Sequence, residues 1–379
     1  MSVADFLVIG GGIAGLSLAA RLVKLGRVVV LEGEDALGYH SSGRSVSFSH
    51  FGIGNAAVRG LTAYSQNFFE APPRGFCETP LSQRMTTLYF ADADSLGLLD
   101  ALGAAMGAYT GAIETVDETE LAKLCPPLRI GEGAAIRGLV DRTGLKLDTD
   151  AFLQASARAV RSGGGTILTG RRISSVERSD YGWLVRTDGG DEHQGAILIN
   201  AAGAWADRIA ALAGVAPLGL QPMRRTIIAV DPPAGLDLAG LPFTHSVHSD
   251  FYMLPEAGRL LVSPADEVAD DPCDAQPDDY DIALAADRLE HYTTISVSRI
   301  AHRWAGLRTF AADRIPTAGF APDAPGFFWL AGQGGYGFQT APAMADAADS
   351  LIAGTAWPDA LARLGVTAET IGPERLADD

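Results

Sequence analysis

Gly10-Gly11-Gly12-Ile13-Ala14-Gly15 follows an apolar run at residues 4–9 (ADFLVI) and opens a small-residue segment at 13–25; a second apolar run, 28–32 (VVVLE), comes next. Short apolar runs bounded by glycine read as buried strands and 13–25 as a helix, so the chain opens with a βαβ unit. In the spacing G-x-G-x-x-G each glycine has a mechanical task. Gly10 permits the tight turn out of the strand, Gly12 lets the backbone approach a pyrophosphate, and Gly15 lets helix pack on strand. Ile13 and Ala14 begin a helix whose free N–H groups favour an anion. Glu32 ends the second strand, where a carboxylate accepts hydrogen bonds from a ribose. The pattern indicates a dinucleotide and leaves NAD and FAD both open.

Two later segments point to FAD. Residues 197–207 (ILINAAGAWAD) read as a buried strand, then Ala202 and Gly203, then a helix start at Trp205. Gly203 would bring backbone close to the adenosine-diphosphate part of a cofactor lying on the first unit. Residues 330–340 (LAGQGGYGFQT) run from a strand through a glycine-rich turn into a helix, offering main-chain N–H groups to an electron-rich group. The pyrimidine end of a flavin gains negative charge on reduction, and donors there favour the reduced state.

With 379 residues, 47% of them apolar and 20% charged, the chain suits about two globular domains. A net charge of −17 sets it against nucleic acid and anionic membrane surfaces. Cys77, Cys125 and Cys273 are too scattered for a disulfide framework or a metal site. There is no basic leader and no apolar run long enough for a transmembrane segment, so a cytoplasmic protein is expected. Residues 150–161 read as a helix starting at an aspartate; 166–168, 173–177, 183–187 and 196–200 read as strands. Strand-like segments dominate 223–308, with a helix near 279–294, and a strand at 327–331 precedes a helix at 340–352. The acidic stretch 266–281 reads as a solvated loop. The expected fold is mixed α/β. An FAD-binding Rossmann-like domain is assembled from 1–83, 147–217 and 304–379. A mixed-sheet substrate-binding domain, 84–146 and 218–303, is inserted into it.

The N-terminal unit, Tyr39-His40-Ser41-Ser42-Gly43-Arg44-Ser45, NAAGAWAD at 200–207 and GQGGYG at 332–337 together resemble the D-amino acid oxidase/sarcosine oxidase superfamily. Within it, GFCE at 75–78, LGLQP at 218–222 and WAGLR at 304–308 resemble the bacterial D-arginine dehydrogenases, along nearly the whole chain. The resemblance implies that Arg308 and Arg225 clamp a substrate carboxylate, a task suited to a planar guanidinium. It implies that Tyr252 hydrogen-bonds that carboxylate or covers the pocket, and that the Gly335 carbonyl accepts the substrate amine. Phe48, His50, Ile53, Thr87 and Tyr336 would line the pocket. Ser41, Arg44, Ser45, Val176, Ala202, Gly203 and Trp205 would contact FAD, with Gly332, Gly334, Gly335, Tyr336, Gly337, Phe338 and Gln339 of the last glycine cluster. Read without the resemblance, Arg308 adjoins apolar residues, and its half-buried charge needs either an internal acid or an anionic ligand. Arg224 and Arg225 face opposite ways on a strand, one of them towards solvent. Tyr252 suits a core position equally well.

The departures from that resemblance bear on the substrate. Phe48 stands where those enzymes have an active-site histidine, and Ile53 where they have a loop tyrosine. Residues 82–88 (SQRMTTL) match the stretch that offers a carboxylate to a guanidinium substrate, yet contain Arg84 and no acid. With Phe48, Phe51 and Ile53 the pocket reads as apolar; Glu78 is the nearest acid. A neutral or apolar amino acid is expected, and the resemblance supplies the D configuration. Sarcosine-oxidase-like members place a lysine above the flavin to activate oxygen, but Lys24, Lys123 and Lys146 lie outside the segments that would supply it. A dehydrogenase passing electrons to an acceptor such as a quinone is therefore expected. Its FAD would be non-covalent, because the C-terminal glycine cluster holds no cysteine. The implied reaction takes hydride from Cα to the flavin and leaves an imino acid that hydrolyses to a 2-oxo acid and ammonia. The alternatives are oxidation of a secondary or tertiary amine, an FAD-binding protein without activity, and a nicotinamide dehydrogenase.

Overall fold

The computed structural model describes residues 2–376. Ser2–Ile9 lies in the middle of an eight-stranded sheet, with Val28–Leu31 parallel to it on one side and Glu192–Asn200 parallel on the other. Thr166–Leu168 extends the sheet beyond Val28–Leu31. Glu192–Asn200 is shared along its outer edge. Its first half pairs antiparallel with Gly182–Thr187, which hairpins to Ile173–Ser179, and its last residues pair parallel with Phe327–Ala331. Strands buried on both faces have no use for alternation, which is why VVVL and FFWLA read as unbroken apolar runs. Along the first strand Phe6 and Val8 join one core cluster and Leu7 and Ile9 the other. Helices Ile13–Leu22, Thr149–Ser162 and Gly337–Ala353 cover the first face.

The first helix stops at Leu22, where the Gly26 N–H returns to the Leu22 carbonyl at 3.1 Å. The second helix starts earlier than expected, because Asp148, not Asp150, accepts from the Ala151 N–H at 2.8 Å and caps it. The last helix begins at Gly337, inside the glycine cluster.

The second sheet has nine strands. Gln221–Val230 carries Val268–Ala269, Arg259–Ser263 and Ile300–Phe310 as antiparallel partners, and the order continues through Tyr252–Glu256, Phe243–Ser246, Thr87–Ala91, Arg137–Asp141 and Ile113–Asp117. Its two faces separate by alternation. Ile228, Val230 and Met253 pack with helix Asp279–Tyr292, while Ile227, Ala229, Tyr252 and Leu254 face Phe48 and Phe243 on the other side. The division expected between 303 and 304 falls inside Ile300–Phe310, which pairs with Gln221–Val230 along its length. Phe48–Ser49, Leu145–Leu147 and Ser82–Arg84 form a small third sheet. No described helix is long and apolar enough to cross a membrane.

The acidic stretch is not simply a solvated loop. Asp266 and Asp281 at its ends are buried; Asp281 pairs with Arg224 at 3.1 Å, and Asp266 accepts the Thr226 N–H at 2.8 Å. Arg224 and Arg225 do face opposite ways, yet neither points to solvent, because the strand carrying them is covered on both sides.

Candidate active site

The turn after the first strand is built around glycine. Gly10 has φ +113°, and a Cβ there would lie 2.3 Å from the Ala201 carbonyl oxygen; one at Gly15 would lie 2.1 Å from the Gly10 oxygen. Glu32 holds the turn by accepting the Gly11 N–H at 2.6 Å, while its other oxygen accepts the Glu34 N–H at 2.9 Å. Ser42, which the sequence reading passed over for its neighbour Ser41, accepts the Ile13 N–H at 3.1 Å. A Cβ at Gly12 would meet its hydroxyl at 3.2 Å. Around this turn lies a cavity of about 360 Å³, reached by Gly10, Gly12, Glu32, Ser41, Ser42, Ala202, Gly203 and Trp205. Val176 is not among them. Its strand meets the cavity at Ile173, and Val176 is buried in the core with Trp183 and Val185.

A second cavity of about 700 Å³ shares Gly12, Ser41, Ser42, Ala201 and Gly203 with the first and extends to the face of the nine-stranded sheet. Ile13, Ala14, Arg44, Ser45 and residues 334–339 also line it. Gly334 has φ +54°, and its N–H reaches the Thr309 carbonyl at 2.8 Å. Gly332 (φ +69°) shapes the same turn from outside the cavity. Several side chains expected to touch FAD are also hydrogen-bonded to protein. Ser41 donates to the Leu307 carbonyl at 2.6 Å, and Arg44 donates to the Ala275 and Ala305 carbonyls and pairs with Asp274. Gln339 is bonded to the His50 main chain and, at 2.7 Å, to Thr62. The Tyr336 hydroxyl donates to the Arg314 carbonyl.

The far wall belongs to the nine-stranded sheet. Arg225 stands opposite Gly306 and Arg308 opposite Met223, so the two guanidiniums rise from one face as diagonal neighbours. Arg225 donates to the Asp266 carbonyl at 2.5 Å and to Glu267 at 3.3 Å. Glu267 also binds Arg314 at 2.6 Å. Burial pushes its carboxyl up, but Arg314 and Arg225 outweigh that and hold it below the usual range. Arg308 forms no ion pair among the described residues. Burial, aided by the Arg225 charge, lowers its pKa to about 10. A Cβ at Gly335 would stand 2.8 Å from its Nη1, so glycine there gives the guanidinium room.

Tyr252 is buried with its ring beneath Arg225 and its hydroxyl unpartnered. His245, absent from the sequence reading, lines the cavity with its Nε2 unpartnered, and burial holds its pKa well below the ordinary value. His50 also lines the cavity, with Nδ1 2.5 Å from the Tyr89 hydroxyl; burial and the charges of Arg308 and Arg59 lower its pKa to about 3. Phe48, Ile53 and Phe243 supply apolar lining.

Thr87 is buried in its strand outside the cavity, and Phe51 packs against Tyr109 and Leu139 instead of lining it. Arg84 points outward to pair with Glu70, and Glu78 is exposed. The acid that does enter is Glu267, from the stretch read as a solvated loop.

The family profile described as DAO, FAD dependent oxidoreductase, matches residues 5–351. An L-2-hydroxyglutarate dehydrogenase of Salmonella houtenae is 28% identical over 223 residues, covering 56% of this chain and 50% of that protein. The chain thus matches about half the length of this curated relative. The FAD-bound, dithionite-reduced L-alpha-glycerophosphate oxidase of Mycoplasma pneumoniae has a TM-score of 0.83 at 21% identity, covering 93% of this chain and 95% of that one. The L-proline dehydrogenase of P. horikoshii also has a TM-score of 0.83, at 20% identity, covering 99% and 98%. At such identities these structures speak for the fold. The residues present fit FAD: a glycine cradle at a helix N-terminus, a carboxylate at the end of the second strand, and a second glycine turn across a continuous cleft.

Proposed function

Since the chain belongs to the DAO family of FAD-dependent oxidoreductases, we propose that it oxidises a small amino acid at the carbon bearing nitrogen. The observation that carries this reading is Arg308, a half-buried guanidinium on the cavity wall that forms no ion pair among the described residues, with Glu267 and Asp266 acting on it only from a distance. Such a charge is costly without a counter-ion, and a substrate carboxylate supplies one. FAD, held without a covalent link, supplies the hydride acceptor. The protein's share is positional. Arg308 anchors the carboxylate, the Tyr252 hydroxyl and His245 Nε2 offer hydrogen bonds beside it, and Phe48 and Phe243 keep the region dry. With neutral imidazoles of lowered pKa around it, the substrate amine loses its proton to solvent, so turnover rises with pH. The D configuration, the imino-acid product and a non-oxygen acceptor are parts of this proposal that rest on resemblance to the D-amino acid enzymes.

A second reading is oxidation of a 2-hydroxy acid. A hydroxyl must give its proton to a base as hydride leaves, and His245 is a neutral base lining the cleft. Anaerobic mixing of the yellow holoprotein with D-amino acids, L-amino acids, N-methyl amines and 2-hydroxy acids decides between them. Bleaching by amino acids is the expected result. Bleaching by hydroxy acids alone gives the second reading, and by N-methyl amines alone the amine alternative. Denaturation should release the flavin into solution.

A further inference from the structure

Five arginines line the larger cavity, with Glu267 as the one carboxylate among its described lining residues. Three of the five are matched. Arg44 pairs with Asp274, Arg225 with Asp266 and Glu267, and Arg314 with Glu267. Arg308 and Arg59 are left over, and a single carboxylate accounts for only one of them.

Arg59 lies on helix Ala56–Glu70 and is half-buried. Its Nε donates to the Phe51 carbonyl at 2.7 Å, which fixes the side chain, and it forms no ion pair among the described residues. The influences on its charge are burial, Tyr109 and Tyr89, so no neighbouring acid supports it. His50 is within electrostatic reach of both Arg59 and Arg308, and burial keeps that imidazole neutral. It therefore neutralises neither cation. Phe48 and Ile53 add apolar lining to the same cavity. A guanidinium held rigidly in such a place lacks only an anion.

We propose that the substrate carries a second anionic group, received by Arg59, so that the site takes 2-substituted dicarboxylates. This rests on the reading that Arg308 holds the first carboxylate, and it revises the expected neutral side chain.

The test uses the holoprotein and two unreactive probes, glutarate and glutaramate, which differ by one carboxylate exchanged for an amide. Binding is read from the perturbation of flavin absorbance. Glutarate should bind at least about tenfold tighter, the scale of one charge-assisted contact. Arg59→Met should shrink that gap to below about threefold, while Arg59→Lys keeps most of it. Equal affinities in the unmutated protein, no binding of either probe, or a gap that survives Arg59→Met overturns the proposal. If the methionine variant does not fold, the unmutated protein and Arg59→Lys decide. Failure of the amino-acid reading looks different: the glutarate gap persists, but no amino acid bleaches the flavin.

Discussion

At the nucleotide end of the cleft the wall is main chain. Gly10, Gly12 and Gly15 are there because a Cβ would strike backbone or crowd a neighbour, and Glu32 and Ser42 serve to hold N–H groups in place. At the substrate end the wall is side chain. Arg225, Arg308, His245 and Tyr252 project from strands whose own hydrogen bonds are already satisfied by the sheet, and Glu267 from the loop just before Val268–Ala269. A main-chain wall tolerates almost no substitution and is spelled out by residue type. A side-chain wall tolerates substitution without collapse, so specificity can change there while the fold and cofactor site stay the same.

Gly10→Ala should break the first wall outright. Positive φ and a Cβ 2.3 Å from the Ala201 oxygen together cost about 2–6 kcal/mol. The flavin-to-protein ratio of the purified variant should collapse; a fully flavinated variant would mean the turn is more pliable than its geometry implies. Arg308→Met tests the second wall. Its kcat/KM on amino acids should fall by the equivalent of about 2–5 kcal/mol. Flavin content should hold, and thermal stability should not drop, since a half-buried charge without an ion pair is removed. Loss of FAD in this variant would erase the distinction between the two walls.

The smallest effect is in pH. His50 has a folded-state pKa near 3 against an ordinary 6.5, so between these values the unfolded chain binds a proton that the folded one refuses. Stability is therefore full above about pH 6.5 and declines as pH falls towards 3, at roughly 1 kcal/mol per pH unit from this group. His245 is shifted the same way. Denaturant titrations should show His50→Gln flattening that decline; an unchanged slope would assign it to other groups.

The same contrast explains what could be read from the sequence. The glycine turn, Glu32 and the glycine cluster at 332–337 were legible because backbone geometry demands particular residues at fixed spacing, whatever lies elsewhere. Glu267 was not, because its role comes from sheet pairing. Val268–Ala269 docks beside Arg224, which brings Glu267 to Arg225 from 42 residues away, and local composition showed only an acidic stretch. His245 was hidden for a similar reason, since only the order of strands shows which face it takes. Arg59 was absent from the sequence reading, and only the packing of its helix shows that it borders the cleft. The resemblance put Thr87 in the pocket and the apolar run of Phe48, Phe51 and Ile53 put Phe51 there; sheet packing makes both of them core.

The central position of Ser2–Ile9 has a consequence for how the molecule is made. Its partner Glu192–Asn200 leaves the ribosome some 190 residues later, which at about 5–20 residues per second is on the order of 10–40 s. Phe327–Ala331, which closes the edge beside Asn200, comes later still. Throughout that interval the earlier-made apolar strand has only Val28–Leu31 beside it and one flank unpaired. This exposed flank is where chaperones would be needed and where aggregation would begin.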